Sequence, residues 1–400
     1  MTDTSNPVRV SVLMPTFNRG GMLEESLESV LNQTLAPHQV IVIDDGSTDD
    51  TAHRIKKYSS RVQYVRKENG GKASALNAGM SMVTGEFVWI FDDDDVALQT
   101  SIADRAAVLA AEPEAGLVLA RHYWGVTSAN GKIEAQVESK WPEVDQSNVF
   151  LTLMRGCFTT LQGALIRRRC LQAVGPFRED LLRSQDYEML VRLVRSFPVA
   201  FLDRPIYIAR RHGGERGPVE LRHAAATRER VWARYDSIFG KDLRRETSLG
   251  EYLVPPVRGR LTEEQTQLAL LNRLSVMGSK GLGDECLEDA LAFAHLADKS
   301  DARKLTPQMR SVAVAAVQQR YFLLNVVLDG GAFLRKARSL ATSATGREVL
   351  RAFARGLLGM AWWGTKSMRE RLRLVELALG LWASSKLPAR ARSGPLETPR

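Results

Sequence analysis

The first half of the chain alternates between two hydrophobic periods. VRVSVLMP (Val8–Pro15) is a short apolar run of the kind a buried strand makes. MLEESLESVLNQ (Met22–Gln33) instead brings Leu23, Leu27, Val30 and Leu31 to one side at helical spacing. QVIVID (Gln39–Asp44) predicts a second strand. GSTDD follows, with Ser47 as N-cap and Asp50 three positions on, a capping-box pattern that predicts a helix running toward Tyr58. RVQYVR, the loop ENGGK, a helix from Ala73 to about Val83, the strand EFVWIF, a helix from about Leu98 to Ala111 and the strand GLVLA complete the series. Such repetition predicts the α/β class, with a mixed, mostly parallel sheet flanked by helices.

After Gly116 the alternation weakens. LLRSQDYEMLVRLVRSFP carries one helical face through Leu190, Leu193 and Val194, and VAFLDRPIYIARRHGG predicts a strand ending in a glycine pair. From Leu221 the periodicity is almost entirely helical, with helices expected near 221–238, 262–277, 283–298, 306–328, 347–360 and 366–384. With 400 residues to place, two domains are expected, residues 1–218 and a mainly α-helical C-terminal domain at 219–400, divided near Gly213–Val219.

Composition narrows the picture. At 44% hydrophobic and 25% charged residues the chain is ordinary globular protein, which sets disorder aside. Cys157, Cys170 and Cys286 are too scattered for a disulfide framework, and no CxxC pair suggests zinc. The N-terminal MTDTSNPVRV lacks a signal-peptide pattern, and no apolar run approaches the roughly 18 residues of a membrane span. A cytoplasmic protein is expected, peripheral at most at the inner face of a membrane. Residues 344–400 hold 11 Lys plus Arg against 4 Glu, a surplus of 11 − 4 = +7 within a net charge of +9. A basic end invites an anionic membrane or nucleic acid. The tail lacks interleaved aromatics, so no nucleic acid is expected. Met368, Leu372, Val375, Leu379 and Trp382 form an apolar stripe among Arg369, Arg371 and Arg373; it suits either a peripheral membrane contact or packing against a core, and packing is the plainer expectation.

Right-handed crossovers would bring the C-terminal ends of the strands to one edge, where open α/β sheets bind ligands. Three polar clusters fall at such ends: Pro15-Thr16-Phe17-Asn18-Arg19, Asp44-Asp45-Gly46-Ser47 and Asp92 to Asp95, with Asn69-Gly70-Gly71-Lys72 after a further strand. The FDDDD run demands a counter-charge, since two like charges about 4 Å apart repel by roughly 4 kcal/mol at an effective dielectric near 20. A divalent cation held against a nucleotide diphosphate would supply it; an acidic turn capping the next helix is the alternative. Asp44 and Asp45 suit a base or ribose, or only the turn. Lys72 suits a phosphate. Asn77, on a helix of Ala, Leu and Gly, needs a partner that a ligand or helix packing would provide. Asp186, after Gln185, is either a general base or an N-cap. His212 could ligate the metal or touch the diphosphate. No GxGxxG and no GxxxxGK[ST] occurs, which argues against dehydrogenases and P-loop enzymes.

Taken together, VSVLMPTFNR, SVLNQT, VIVIDDGSTDDT, ENGGKASALNAGM, GEFVWIFDDDD, VGPFRED and SQDYEMLVRL, in this order over about the first half of the chain, resemble the inverting family 2 glycosyltransferases of the GT-A fold. The resemblance implies nucleotide-sugar contacts at Pro15, Thr16, Asn18, Asp44, Asp45, Lys72 and Asn77. It makes Asp92-Asp93-Asp94 a DxD motif, with Asp92 and Asp93 toward the nucleotide sugar and Asp94 or Asp95, joined by His212, on Mn²⁺ or Mg²⁺. Asp186 becomes the base that deprotonates the acceptor. Gln185 departs from the family's usual Glu, and Asp93 stands where a small residue is commoner. The implied reaction moves a hexose-type sugar from a nucleotide-diphosphate donor, a UDP-sugar, to a hydroxyl of a glycan or lipid-linked acceptor in cell-surface polysaccharide or glycoconjugate synthesis. A sugar nucleotidyltransferase would show a Gly-rich basic loop where this chain reads PTFNRGG. A non-catalytic basic module would leave the acidic cluster unexplained.

Overall fold

The apolar run after Val8 becomes strand β1 (Val10–Thr16), buried along its whole length. The computed structural model describes residues 8–129, 131–211, 228–299, 305–327, 331–363 and 367–386. β1 lies between two parallel neighbours, β2 (Gln39–Asp44) and β4 (Phe87–Ile90), and β3 (Gln63–Arg66) adds parallel to β2. β1, β2 and β4 are buried on both faces, which is why they read as continuous apolar runs and not as alternation. Val12 and Met14 point into a core shared with Leu23, Leu27 and Val30 of helix α1 (Gly20–Leu31) and with Trp89 and Phe91. Each such buried side chain contributes about 1.5–3 kcal/mol.

Beyond β4 the strand direction changes. β8 (Ala164–Arg167) runs antiparallel to both β4 and β6 (Leu117–Thr127), while β9 (Val199–Arg210) lies parallel to β6. β5 (Val96–Ala97) and β7 (Ile133–Glu138) pair antiparallel with β9 and β6. Among the described residues the sheet thus has nine strands in the order β3-β2-β1-β4-β8-β6-β9-β5, with β7 beside β6. It is the expected mixed sheet. The remaining helices of this unit are α2 (Thr51–Ile55), α3 (Lys72–Met80), α4 (Ser101–Ala111), α5 (Val149–Arg155), α6 (Arg168–Val174) and α7 (Gln185–Ser196).

One local expectation fails for a clear reason. Ser47 does not cap a helix: its hydroxyl accepts from the Asn18 backbone N–H at 2.9 Å and its own N–H donates to Asp44 at 2.7 Å. The Asp49 carboxylate instead accepts from the N–H and hydroxyl of Thr51, where α2 begins.

The chain divides into two compact units, residues 1–228 and 229–400, whereas the boundary expected at Gly213–Val219 lies outside the described residues. The second unit is helical: α8 (Arg228–Glu246), α9 (Glu263–Ser279), α10 (Gly283–Lys299), α11 (Pro307–Val317), a one-turn α12 (Arg320–Phe322) running into a π-helical stretch at Leu323–Val327, then α13 (Gly331–Ala337), α14 (Ala344–Trp363) and α15 (Met368–Ser384). Thr262 and Gln265 form the capping box that starts α9, and Thr306 caps α11 ahead of Pro307. The apolar stripe of α15 departs from the packing expectation. Met368, Leu372, Leu379 and Trp382 face outward, and Leu374, Leu377, Ala378 and Leu381 are the buried set. No helix among the described residues is long and apolar enough to cross a membrane.

Candidate active site

The C-terminal ends of β1, β2 and β4 meet as the crossover rule requires, and side-chain hydrogen bonds join their loops. Asn18 adopts a left-handed backbone (φ 52°), and its side-chain oxygen accepts from the N–H groups of Thr48 at 2.7 Å and Asp49 at 3.3 Å. Pro15 is buried within β1. Asp44 is fully buried and accepts from the Ser47 N–H and, at 2.5 Å, from the Tyr64 hydroxyl. Burial, and then the bond to Asp44, hold that phenol well above its ordinary pKa. Asp45 gathers the ENGGK loop: its carboxylate accepts from the N–H groups of Gly70 (3.0 Å) and Gly71 (2.7 Å) and pairs with Lys67 at 3.0 Å. Gly71 has φ +87°, a conformation that favours glycine, and the turn delivers Lys72 to the first turn of α3.

The four aspartates after β4 diverge. Asp93 accepts from the Thr16 hydroxyl at 2.7 Å and from Arg19 at 2.7 Å; the same guanidinium reaches Asp94 at 2.9 Å. Asp95 accepts from the backbone N–H of Arg210, whose side chain donates to the Asp94 carbonyl and pairs with Glu25. Asp92 pairs with Lys72 at 2.7 Å, and the same ammonium donates to Asp186 at 2.6 Å. Asp186 lies in the first turn of α7 and is not its N-cap, a place taken by Ser184. The other Asp186 oxygen, Oδ1, is buried with no hydrogen-bond partner among the described residues.

Two sequence candidates do not join this group. Asn77 donates to the Phe177 carbonyl and to Glu179 and accepts from the Phe177 N–H, so packing against the 177–179 loop supplies its partners. His212 lies outside the described residues. Arg19 closes the first polar cluster but was given no role by sequence, and Tyr64, Lys67 and Arg210 were not singled out, although Lys67 adjoins the ENGGK loop and Arg210 ends an apolar strand.

Burial and mutual repulsion raise the carboxylates of the cluster. Burial pushes Asp92 up to about 6; Lys72 opposes the shift, while Asp186 and Asp94 reinforce it. Burial, then Asp94 and Asp92, push Asp95 well above the usual carboxylate range. Burial also raises Asp93, against the pull of Arg19. Burial disfavours the Lys72 ammonium, but Asp186 and Asp92 outweigh it and hold it charged. Carboxylates raised by burial and by each other gain most from an added positive charge. Oxygens of Asp92, Asp94 and Asp95 lie within 4.8 Å of one another, close enough for one ion to take an oxygen from each, and oxygen-only donors suit Mg²⁺ or Mn²⁺. Asp92 therefore stands with Asp94 and Asp95, and Asp93 stands apart.

The model of the glycosyl transferase family 2 matches residues 11–174, from β1 through α6. Residues 11–174 are a family 2 glycosyltransferase domain. An uncharacterized glycosyltransferase of Rickettsia felis is 26% identical to the chain over 215 residues, 53% of this chain and 35% of that protein. The poly(ribitol-phosphate) beta-N-acetylglucosaminyltransferase TarP of Staphylococcus aureus is 41% identical over 102 residues, 24% of this chain and 31% of TarP. The chain spans about a third of the length of the first curated relatives it matches. S. aureus TarS 1–349 in complex with UDP-GlcNAc superposes with a TM-score of 0.51 at 18% identity, over 85% of this chain and 90% of TarS 1–349. At that identity the likeness speaks for the fold of the glycosyltransferase domain, which is GT-A.

Proposed function

We propose that the chain transfers a sugar from a nucleotide-diphosphate donor to an acceptor hydroxyl with inversion at the anomeric carbon. The observation that carries this reading is Lys72, whose ammonium joins Asp92 of the DxD segment to Asp186, 114 residues further along the chain than Lys72. A leaving-group site and a base are thereby held one side chain apart. The acceptor oxygen forms its bond to the anomeric carbon as the bond to the diphosphate breaks, and the hydroxyl proton passes to Asp186 Oδ1. Lys72 and Arg19 stand ready to balance the charge gained by the diphosphate. Asp92, Asp94 and Asp95 would hold Mn²⁺ or Mg²⁺, and the chemistry a divalent ion supplies there is Lewis-acid neutralisation of the leaving group. Asp44 and Asp45 shape the loops that a base and ribose would meet, with Thr16 and Asn18 fixing the β1 loop beside them.

A UDP-sugar donor is supported by the UDP-GlcNAc complex of TarS, and a hydroxyl-bearing polymer as acceptor by the poly(ribitol-phosphate) in the name of TarP. The test is product analysis with a panel of nucleotide sugars, before and after chelation and re-addition of Mn²⁺. Cation-dependent release of nucleoside diphosphate supports the reading. Release of pyrophosphate would point to nucleotidyl transfer, and turnover indifferent to chelation would remove the cation.

A further inference from the structure

Helix α15 has two apolar faces. Leu374, Leu377, Ala378 and Leu381 are buried within the C-terminal unit; at 100° per residue, the stripe from Met368 to Trp382 lies roughly opposite them. Met368, Leu372, Leu379 and Trp382 are 67%, 58%, 57% and 47% exposed. α14 packs beside α15 and ends on Trp362 and Trp363, 71% and 89% exposed, one short connection before Met368. Of the twelve large apolar side chains exposed among the described residues, seven fall between Leu358 and Trp382. Exposed apolar side chains are thus concentrated on this packed pair of helices, beyond the single scatter normal on a protein surface.

The stripe is bordered by cations. Exposed Arg369 and Arg371 flank the stripe on its two sides, and the Lys386 ammonium sits 3.5 Å over the Trp382 ring. The carboxylates of the same helix are already engaged, Glu370 by Arg320 and Glu376 by Arg373. An exposed apolar helix face that carries an indole, with guanidinium groups beside its start and an ammonium at its end, is what an interfacial helix presents to the boundary between headgroups and acyl chains.

We propose that the outer face of α14 and α15 docks on an anionic lipid bilayer, with Trp362, Trp363, Leu372 and Leu379 at the headgroup–acyl boundary and the flanking arginines on lipid phosphates. A second copy of the chain is the competing occupant. A two-fold contact through this face would gather Arg369, Arg371 and Lys386 of both copies into one interface, and like charges resist that arrangement.

Flotation of the full chain with vesicles of phosphatidylcholine, alone or mixed with phosphatidylglycerol, tests the proposal without reference to catalysis. Binding to the anionic vesicles, a blue shift of tryptophan emission and weakening by salt are expected. Trp363→Ser with Leu379→Ser should lower vesicle affinity by about tenfold or more with an unchanged melting temperature, since both side chains are exposed. Arg369→Gln and Arg371→Gln should each lower it about fivefold, the scale of one juxtamembrane cation. No binding to anionic vesicles at low salt overturns the proposal, as does equal binding by the Trp363/Leu379 variant. A dimer dissolved by the same substitutions, with no vesicle binding, would assign the face to a second copy.

Discussion

Lys72 ties two carboxylates of the site together. It keeps Asp92 and Asp186 near each other while engaging one oxygen of each, and Oδ1 of Asp186, buried and without a hydrogen-bond partner among the described residues, is the atom that the proposed reaction assigns to the acceptor proton. Asp186→Asn preserves the shape of the side chain and removes its capacity to take that proton. kcat should fall by ~10²-fold or more while the KM for donor changes little, and initial rates over a donor series would check it. Near-normal kcat would remove Asp186 as the base. His122 offers a prediction about stability. Its ring is buried against Tyr207, with centroids 5.2 Å apart, and against Trp124, and neither ring nitrogen has a hydrogen-bond partner among the described residues. Burial, helped by the Arg211 charge, pushes its pKa down to about 4. The folded state therefore holds the neutral form, so this stabilisation is present above the unfolded value near 6.5 and is lost as pH falls toward 4, about 3 kcal/mol at most. Asp92 and Asp95, raised by burial, act in the opposite direction over an overlapping range. The contribution must be read as a difference: melting temperature against pH should fall less steeply between 6.5 and 4 in His122→Phe than in the parent. Parallel curves would mean that His122 does not titrate with unfolding.

At the scale of elements, α3 couples packing to the site. It carries Lys72 at one end, Asn77 pins the 177–179 loop ahead of α7, and Gly79 lies directly on the Leu13 and Ile43 side chains of the sheet. A Cβ at Gly79 would overlap the Leu13 δ-methyl, whose side chain is fully buried. Gly79→Val should cost about 1–3 kcal/mol by overpacking, measured by urea denaturation. Gly21 in α1 has nothing within 4 Å of a built Cβ, and Gly21→Ala should stabilise by up to about 1 kcal/mol. The same contrast explains how far sequence could reach. β1 and β2 were legible because their burial is nearly complete, and α1 because its buried leucines and valine recur at helical spacing on one face. β7 was missed because only Ile133 is buried; its conformation comes from pairing with β6. β5, two residues long, exists through β9. The helix after β2 was placed too early because the Ser47 hydroxyl serves the Asn18 backbone, a partner 29 residues away. In the site, the acidic clusters were visible as residue types, but their pairings were not. Arg19 meets Asp93 across 74 residues and Lys72 meets Asp186 across 114, and no spacing rule spans such distances.

For the whole molecule, the division into two units gives a thermodynamic test. Residues 1–228 carry the sheet and the aspartate cluster; residues 229–400 are helical and have buried residues of their own, such as Leu271, Phe293 and Phe353. Two cores that unfold separately would give two transitions in a calorimetric scan. Mn²⁺ with UDP, if bound at Asp92, Asp94 and Asp95, stabilises only the fold that forms the site, by about 2.7 kcal/mol at a hundredfold excess over Kd. For a unit of this size that corresponds to a rise of roughly 5–10 °C. One transition should therefore move and the other stay, and neither should move with UDP alone if the cation bridges the nucleotide to the cluster. The paired variant Asp94→Asn, Asp95→Asn should abolish the movement and leave the second transition where it was. A single transition that shifts as a whole would mean that the units melt together. A shift confined to the helical unit would place the nucleotide away from the aspartates and overturn the site.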